Sequence, residues 1–134
     1  MQRQSLSRQL FGYLRAGFVK SFVAFEFDAT PRILLQESPL AGYQYHRASG
    51  VWSFLRVGEV LRLHREPANP HDPNAIAVWY KNEHLGYVPR RENRTLAQLM
   101  DRGERLEARI VRLLEDENPW RRIRFRVDLK PERF

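Results

Sequence analysis

Arg65-Glu66-Pro67-Ala68-Asn69-Pro70-His71-Asp72-Pro73-Asn74-Ala75-Ile76 sets three prolines, two asparagines, a histidine and an aspartate in twelve residues, just before the run Ala77-Val78-Trp79-Tyr80. Proline fixes φ and lacks a backbone donor, while Asn and Asp side chains bond their own backbone. The segment therefore reads as a stiff, turn-rich loop feeding a strand. A plain connection needs only about 2–6 residues, so a longer, polar, aromatic-tipped loop suits a binding rim. Beyond it Ile76, Val78 and Tyr80 alternate with Ala77 and Trp79, as in a half-buried strand. Lys81-Asn82-Glu83 then makes a hairpin turn into a strand from His84 to Val88.

Working upstream, Val60 to Arg65 is a strand with Leu61 and Leu63 on one face, after a turn at Val57-Gly58-Glu59. Arg32 to Glu37 is a first strand entered through Pro31. Ala41 to His46 reads as an aromatic, alternating second strand, and Val51 to Leu55 as a short helical turn carrying Trp52 and Phe54 into the core. Downstream the period changes. Asn93 suits an N-cap, Leu96, Leu99 and Met100 share one helical face, and Gly103 is placed to stop the helix. Leu106, Ala108 and Ile110 begin a long strand, and Glu115 to Asn118 is an acidic turn. In the last strand Ile123, Phe125, Val127 and Leu129 point one way and Arg122, Arg124 and Arg126 the other. The expected fold is mainly β: a small OB-like or SH3-like barrel of about six strands, closed or nearly so, with one or two short helices.

The chain has 134 residues, enough for one core. Residues 31–134 make the barrel domain and residues 1–30 an N-terminal extension. There Arg3, Arg8 and Arg15 precede a semi-apolar stretch from Ala16 to Phe27 that Lys20 and Glu26 interrupt. The extension reads as amphipathic or loosely ordered, with a degraded targeting segment or membrane-surface anchor as the alternative. No apolar run approaches the roughly 18 residues of a membrane span, so no membrane partner is expected.

Chemistry is constrained by what the sequence lacks. There is no cysteine, and His46, His64, His71 and His84 have no metal-binding spacing, so neither a thiolate nor a zinc site is expected. There is no nucleophile elbow, no phosphate-binding glycine loop and no cofactor motif. His71 and Asp72 are adjacent, and adjacent residues on an extended loop point apart, so no triad is nominated. The chain is read as a non-enzyme without cofactor.

A binding role has more to rest on. Formal charge is +7, and 20 of the 23 basic residues are arginine, whose fork matches phosphate and stacks on base planes. Tyr43, Tyr45, His71, Trp79, Tyr87 and Trp120 interleave with Arg47, Arg65, Arg90, Arg91 and Arg121. Aromatic platforms in a positive groove grip single-stranded nucleic acid. Of Tyr43 and Tyr45, at most one is read as core. Trp120 sits among charged residues in a turn. Asp72 would repel phosphates, so it either meets a neutral group such as a terminal 3′-hydroxyl or forms an Asx turn that holds the loop. Both readings stand at this point.

The string from Ala41 to His46, then Val57-Gly58, the loop Arg65 to Val78, and Leu85-Gly86-Tyr87-Val88-Pro89-Arg90 closely resembles the HIRAN domain, and the likeness runs from about Ile33 to Leu129. The resemblance implies an OB-like barrel with a helical insertion. HIRAN domains occur fused to SNF2-type translocases and as stand-alone bacterial proteins, and this chain looks like the latter. In the fused repair members the domain captures the 3′ end of single-stranded DNA. By resemblance, Tyr45 stacks on a terminal base, His71 takes the place of a second stacking aromatic, Asp72 bonds the 3′-hydroxyl, and Arg90 contacts phosphate. Trp120 lies near an aromatic of the last hairpin, and Arg65 and Asn69 complete the candidate set. Two positions depart from the repair pattern. Gln44 replaces a basic residue, and His71 replaces a tyrosine with imidazole, a weaker stacker whose charge changes near neutral pH. The expected function is a non-catalytic module for the 3′-OH end of single-stranded DNA in repair or replication. Its expected partners are helicases, translocases or repair proteins, and its expected location is the cytoplasm. The alternative is a protein-interaction or cell-envelope domain that keeps the fold and does not bind DNA.

Overall fold

A computed structural model describes residues 31–130, and residues 1–30, expected as an extension, lie outside the described set. Six strands form: β1 (Ile33–Pro39), β2 (Val60–Arg65), β3 (Ile76–Tyr80), β4 (Glu83–Tyr87), β5 (Leu106–Leu113) and β6 (Ile123–Leu129). All pairings are antiparallel, in the order β1-β6-β5-β2-β3-β4. Two short helices, α1 (Ala48–Val51) and α2 (Arg94–Asp101), accompany 3-10 turns at Tyr43–Tyr45, Trp52–Phe54, Arg90–Glu92 and Pro119–Arg121. No described helix is long and apolar enough to cross a membrane.

The alternating last strand follows its pattern through Val127, after which Asp128 is buried and Leu129 half-buried. Ile123, Phe125 and Val127 are buried, while Arg124 and Arg126 face outward. Their inward side chains meet Ile110 and Ala108 of β5 across the ladder. Leu61, Ile76, Val78 and Leu85 continue the core through β2, β3 and β4, and Leu96 of α2 closes one side. The helix ends as Gly103 requires. Its φ of 91° admits glycine readily, its N–H donates to the Met100 carbonyl, and the Glu104 N–H reaches back to Leu99.

The six-stranded ladder does not close into a continuous barrel. The sheet's ends meet through one bridge, Ala41 to Tyr87, with reciprocal N–H···O bonds of 2.9 Å. That approach fixes the identity of residue 86: a Cβ on Gly86 would lie 2.2 Å from the Ala41 carbonyl oxygen.

Two expected elements differ. Ala41–His46 is no strand, because Gly42 takes a left-handed φ of 80° and turns the chain into the 3-10 turn Tyr43–Tyr45. Tyr43 is buried and Tyr45 is exposed all the same. Phe54 does not enter the core but is 66% exposed. Trp52 of the same turn is half-buried, edge-to-face with Tyr43 at 6.1 Å, and the Arg122 guanidinium lies over both rings.

Gly86→Ala should lower the stability by about 2–3 kcal/mol through backbone overpacking. Gly50→Ala, whose Cβ meets nothing within 4 Å, should leave it unchanged or slightly higher. Urea midpoints of the two variants check this, and equal midpoints would refute the closure constraint.

Candidate nucleic-acid interface

The proline-rich loop is held by its own polar side chains. Asn69 Oδ1 accepts the backbone N–H of His71 at 2.8 Å and of Asp72 at 3.2 Å, and its Nδ2 donates to Glu66 Oε1 at 2.9 Å. Asp72 Oδ1 accepts the Asn74 N–H at 2.9 Å, an Asx turn and one of the two readings of this residue. Its other oxygen, Oδ2, accepts from Asn93 Nδ2 at 2.8 Å. Asn93 is only 2% exposed and precedes α2, yet its side chain makes no capping bond. It ties the loop to the helix instead.

Glu66 joins the loop to β4. Its Oε1 also accepts the Tyr87 hydroxyl at 2.9 Å. Burial raises the Glu66 carboxyl, but the bonds from Asn69 and Tyr87 and the nearby His84 and His64 outweigh it and hold the group below its ordinary value. Burial, then the Glu66 bond, push the Tyr87 phenol up. Around Tyr87 the rings gather. His46 lies 5.5 Å from it and 4.3 Å from His84, and His84 stacks on Trp79 at 5.1 Å. Burial, then the neighbouring His84, lower the His46 imidazole, against an upward pull from Glu66.

His46 follows directly on Tyr45, so this ring cluster anchors the turn that presents Tyr45, 78% exposed. The turn Pro119–Arg121 packs against the same turn and brings Trp120, 46% exposed, to its side. In the proline-rich loop His71 is exposed and Asp72 half-buried. Arg90 is exposed in the turn Arg90–Glu92, which Ser38 fixes by donating to Glu92 Oε1 at 2.7 Å. The chain of contacts from Tyr45 through His46, Tyr87, Glu66, Asn69 and Asp72 to Asn93 makes one continuous rim.

Two residues of the candidate set serve the loop itself. Arg65 makes a bidentate pair with Asp101 of α2, at 2.8 and 3.0 Å, and donates to the Ala75 carbonyl at 2.9 Å. Its fork is filled and mostly covered, so it is not offered to a phosphate as expected. Asn69 is likewise occupied at both ends of its amide. The ring cluster and Asn93 escaped the sequence reading, because nothing in the spacing of His46, His84 and Asn93 signals their contacts. No group of acidic or histidine side chains suited to a metal ion occurs among the described residues.

The HIRAN domain model matches residues 33–132. The chain belongs to the HIRAN family. Among solved structures, a protein from Lactobacillus plantarum is 30% identical with a TM-score of 0.65, covering 74% of this chain and 95% of that one. The HIRAN domain of human HLTF is 23% identical with a TM-score of 0.58, over 76% of this chain and 81% of that one, a likeness of fold. No curated protein matches.

His46 and Glu66 of this HIRAN domain both sit below their ordinary values when folded. Each therefore contributes stability above its ordinary value and loses it as the pH falls. The loss should begin below 6.5 for His46 and below 4.5 for Glu66. Denaturation midpoints at pH about 8, 5 and 3 should fall in two stages. Glu66→Gln should flatten the lower stage, and an unchanged acid limb would refute the assignment.

Proposed function

We propose that this HIRAN domain is a non-catalytic binding module for nucleic acid and captures the free 3′-OH end of single-stranded DNA, in repair or replication. The observation that carries the reading is the Asp72 carboxylate, held by Asn74 and Asn93 on a rim of exposed aromatic and basic side chains. An ionised carboxylate has about four acceptor sites. Two are used, so capacity remains for a hydroxyl. The same charge repels a terminal phosphate, which makes a free end the preferred ligand. Tyr45 offers an open ring to the last base, a stack worth about 1–3 kcal/mol. His71 and Trp120 flank the strand, and Arg90, with no partner among the described residues, meets a phosphate. Arg65 and Asn69 position the loop. Gln44 leaves the approach to Tyr45 neutral, so the stack rather than charge fixes the terminal nucleotide.

Fluorescence anisotropy with a short labelled strand tests this. A 3′-OH end should bind at least about tenfold more tightly than a 3′-phosphate end, because the latter sets like charges together. Asp72→Asn keeps an acceptor for Asn74 and should bring the two ends close together in affinity. Tyr45→Ala, at an exposed position, should weaken binding about 5–100-fold without altering the melting temperature. Wild-type protein that binds both ends equally would reduce the site to a basic surface, and no binding at low salt would sink the reading.

A further inference from the structure

Most described arginines are engaged: Arg126 with Asp128 and Arg47 with Glu83, for example, in ion pairs, and Arg122 over aromatic rings. Six have no side-chain ion pair, hydrogen bond or ring contact among the described residues: Arg90, Arg91, Arg94, Arg102, Arg105 and Arg112. Five of these six fall between positions 90 and 105, in and around α2. All five are exposed.

Their placement on the helix is specific. Leu96 and Ala97 are buried, with Leu99 and Met100 half-buried, so the opposite face carries Arg94, Gln98 and Arg102 at i, i+4 and i+8. An ordinary solvated helix face mixes signs at these spacings. Here Asp101, the one acid on α2, is already taken by the Arg65 fork. Arg90, Arg91 and Arg94 also gather at the N-terminal end, where the helix dipole favours anions, and the first turn contains no acidic residue. Three unpaired cations there, against the single carboxylate of Glu92, oppose the helix's own field, and a bound polyanion would relieve both terms together.

We propose that the exposed face of α2, through Arg91, Arg94 and Arg102, is a phosphate track that carries the backbone of the bound single strand 5′-ward from its captured end. The proposal rests on the end-capture reading and extends it to a footprint and a direction. Arg90 stands at the terminal site, its turn leads without interruption into α2, and the Asn93–Asp72 bond fixes the helix start to the loop. From Arg94 to Arg102 the helix advances about 12 Å. At about 3.4 Å per nucleotide of a stacked strand, that faces about three phosphates.

The test compares 3′-OH oligonucleotides of about 2 nucleotides, whose single phosphate reaches only Arg90, and of about 12, within the usual site size of an OB-type domain, across a salt series. The proteins are the wild type, the triple variant Arg91→Gln/Arg94→Gln/Arg102→Gln, and the single variants Arg94→Gln and Arg112→Gln. Glutamine nearly matches arginine as a helix former, and a circular dichroism melt confirms the fold. Wild type should bind the longer strand more tightly and with a steeper salt dependence. The triple variant should bind the short strand as wild type does, lose the gain with length, and lose about 2 from the slope of log affinity against log salt. Arg94→Gln should show part of that loss, and Arg112→Gln, equally free but on β5, should show none. A triple variant that keeps the length gain and the slope overturns the track. So does an Arg112→Gln loss as large as that of Arg94→Gln, which would mean general charge alone. Wild type that ignores the 3′ end, while long-strand binding collapses in the triple variant, overturns end capture and leaves the track. Wild type that binds neither strand overturns both.

Discussion

Between Ala41 and Tyr87 two backbone hydrogen bonds of 2.9 Å join the segment leaving β1 to the strand at the far end of the sheet order. They form only because residue 86 has no Cβ to meet the Ala41 carbonyl. Everything on the rim hangs from this approach. It delivers the turn Tyr43–Tyr45 to the edge of β4, where His46 lies on His84 and Tyr87. Tyr87 in turn holds Glu66, the residue that opens the proline-rich loop. One close backbone contact thus sets the distance between the exposed aromatic turn and the loop bearing Asp72. It does so without a continuous ladder between β1 and β4.

Most strands and α2 were legible in the sequence because each carries its period over several residues with turn residues at its ends. Ile123 to Leu129 alternates without exception, and Asn93 and Gly103 bracket the helix as read. The stretch Ala41 to His46 misled because its aromatics fall at alternate positions, which a strand would set on one face; the 3-10 turn, with three residues per turn, instead sends Tyr43 inward and Tyr45 outward. The glycine at 42 carried the contrary signal: with φ at 80° it breaks the strand before its aromatics begin. Phe54 misled for a different reason. Hydrophobicity alone does not bury a side chain in a three-residue turn when Trp52 and Leu55 already fill the inward directions.

Side-chain partnership was the least legible layer. The count of arginines gave a basic protein, and the sequence offered Arg65 and Arg90 as equals. The fold separates them. Arg65 lies on β2 opposite Asp101 and is locked into a bidentate pair 36 residues away in sequence, whereas Arg90 finds no acid in reach. Ion pairs between strands and helices depend on tertiary distance, which no spacing rule encodes. The same applies to Asn93, whose position fits an N-cap while its amide reaches across 21 residues to Asp72.

That amide also bears on the two readings of Asp72. An Asx turn and a ligand-binding carboxylate look like competing roles for Asp72, but the bonds in place use different oxygens and leave lone pairs on both. Holding the loop is then what makes a binding role effective. A loop that had to order on contact would lose about 1–2 kcal/mol per residue in backbone entropy. Here the Asn69 and Asp72 side chains accept the backbone N–H groups of His71, Asp72 and Asn74, Glu66 holds the Asn69 amide, and proline removes three further donors. The rim is preorganised, so in the proposed complex the free energy of stacking and phosphate contact would go into affinity rather than into ordering.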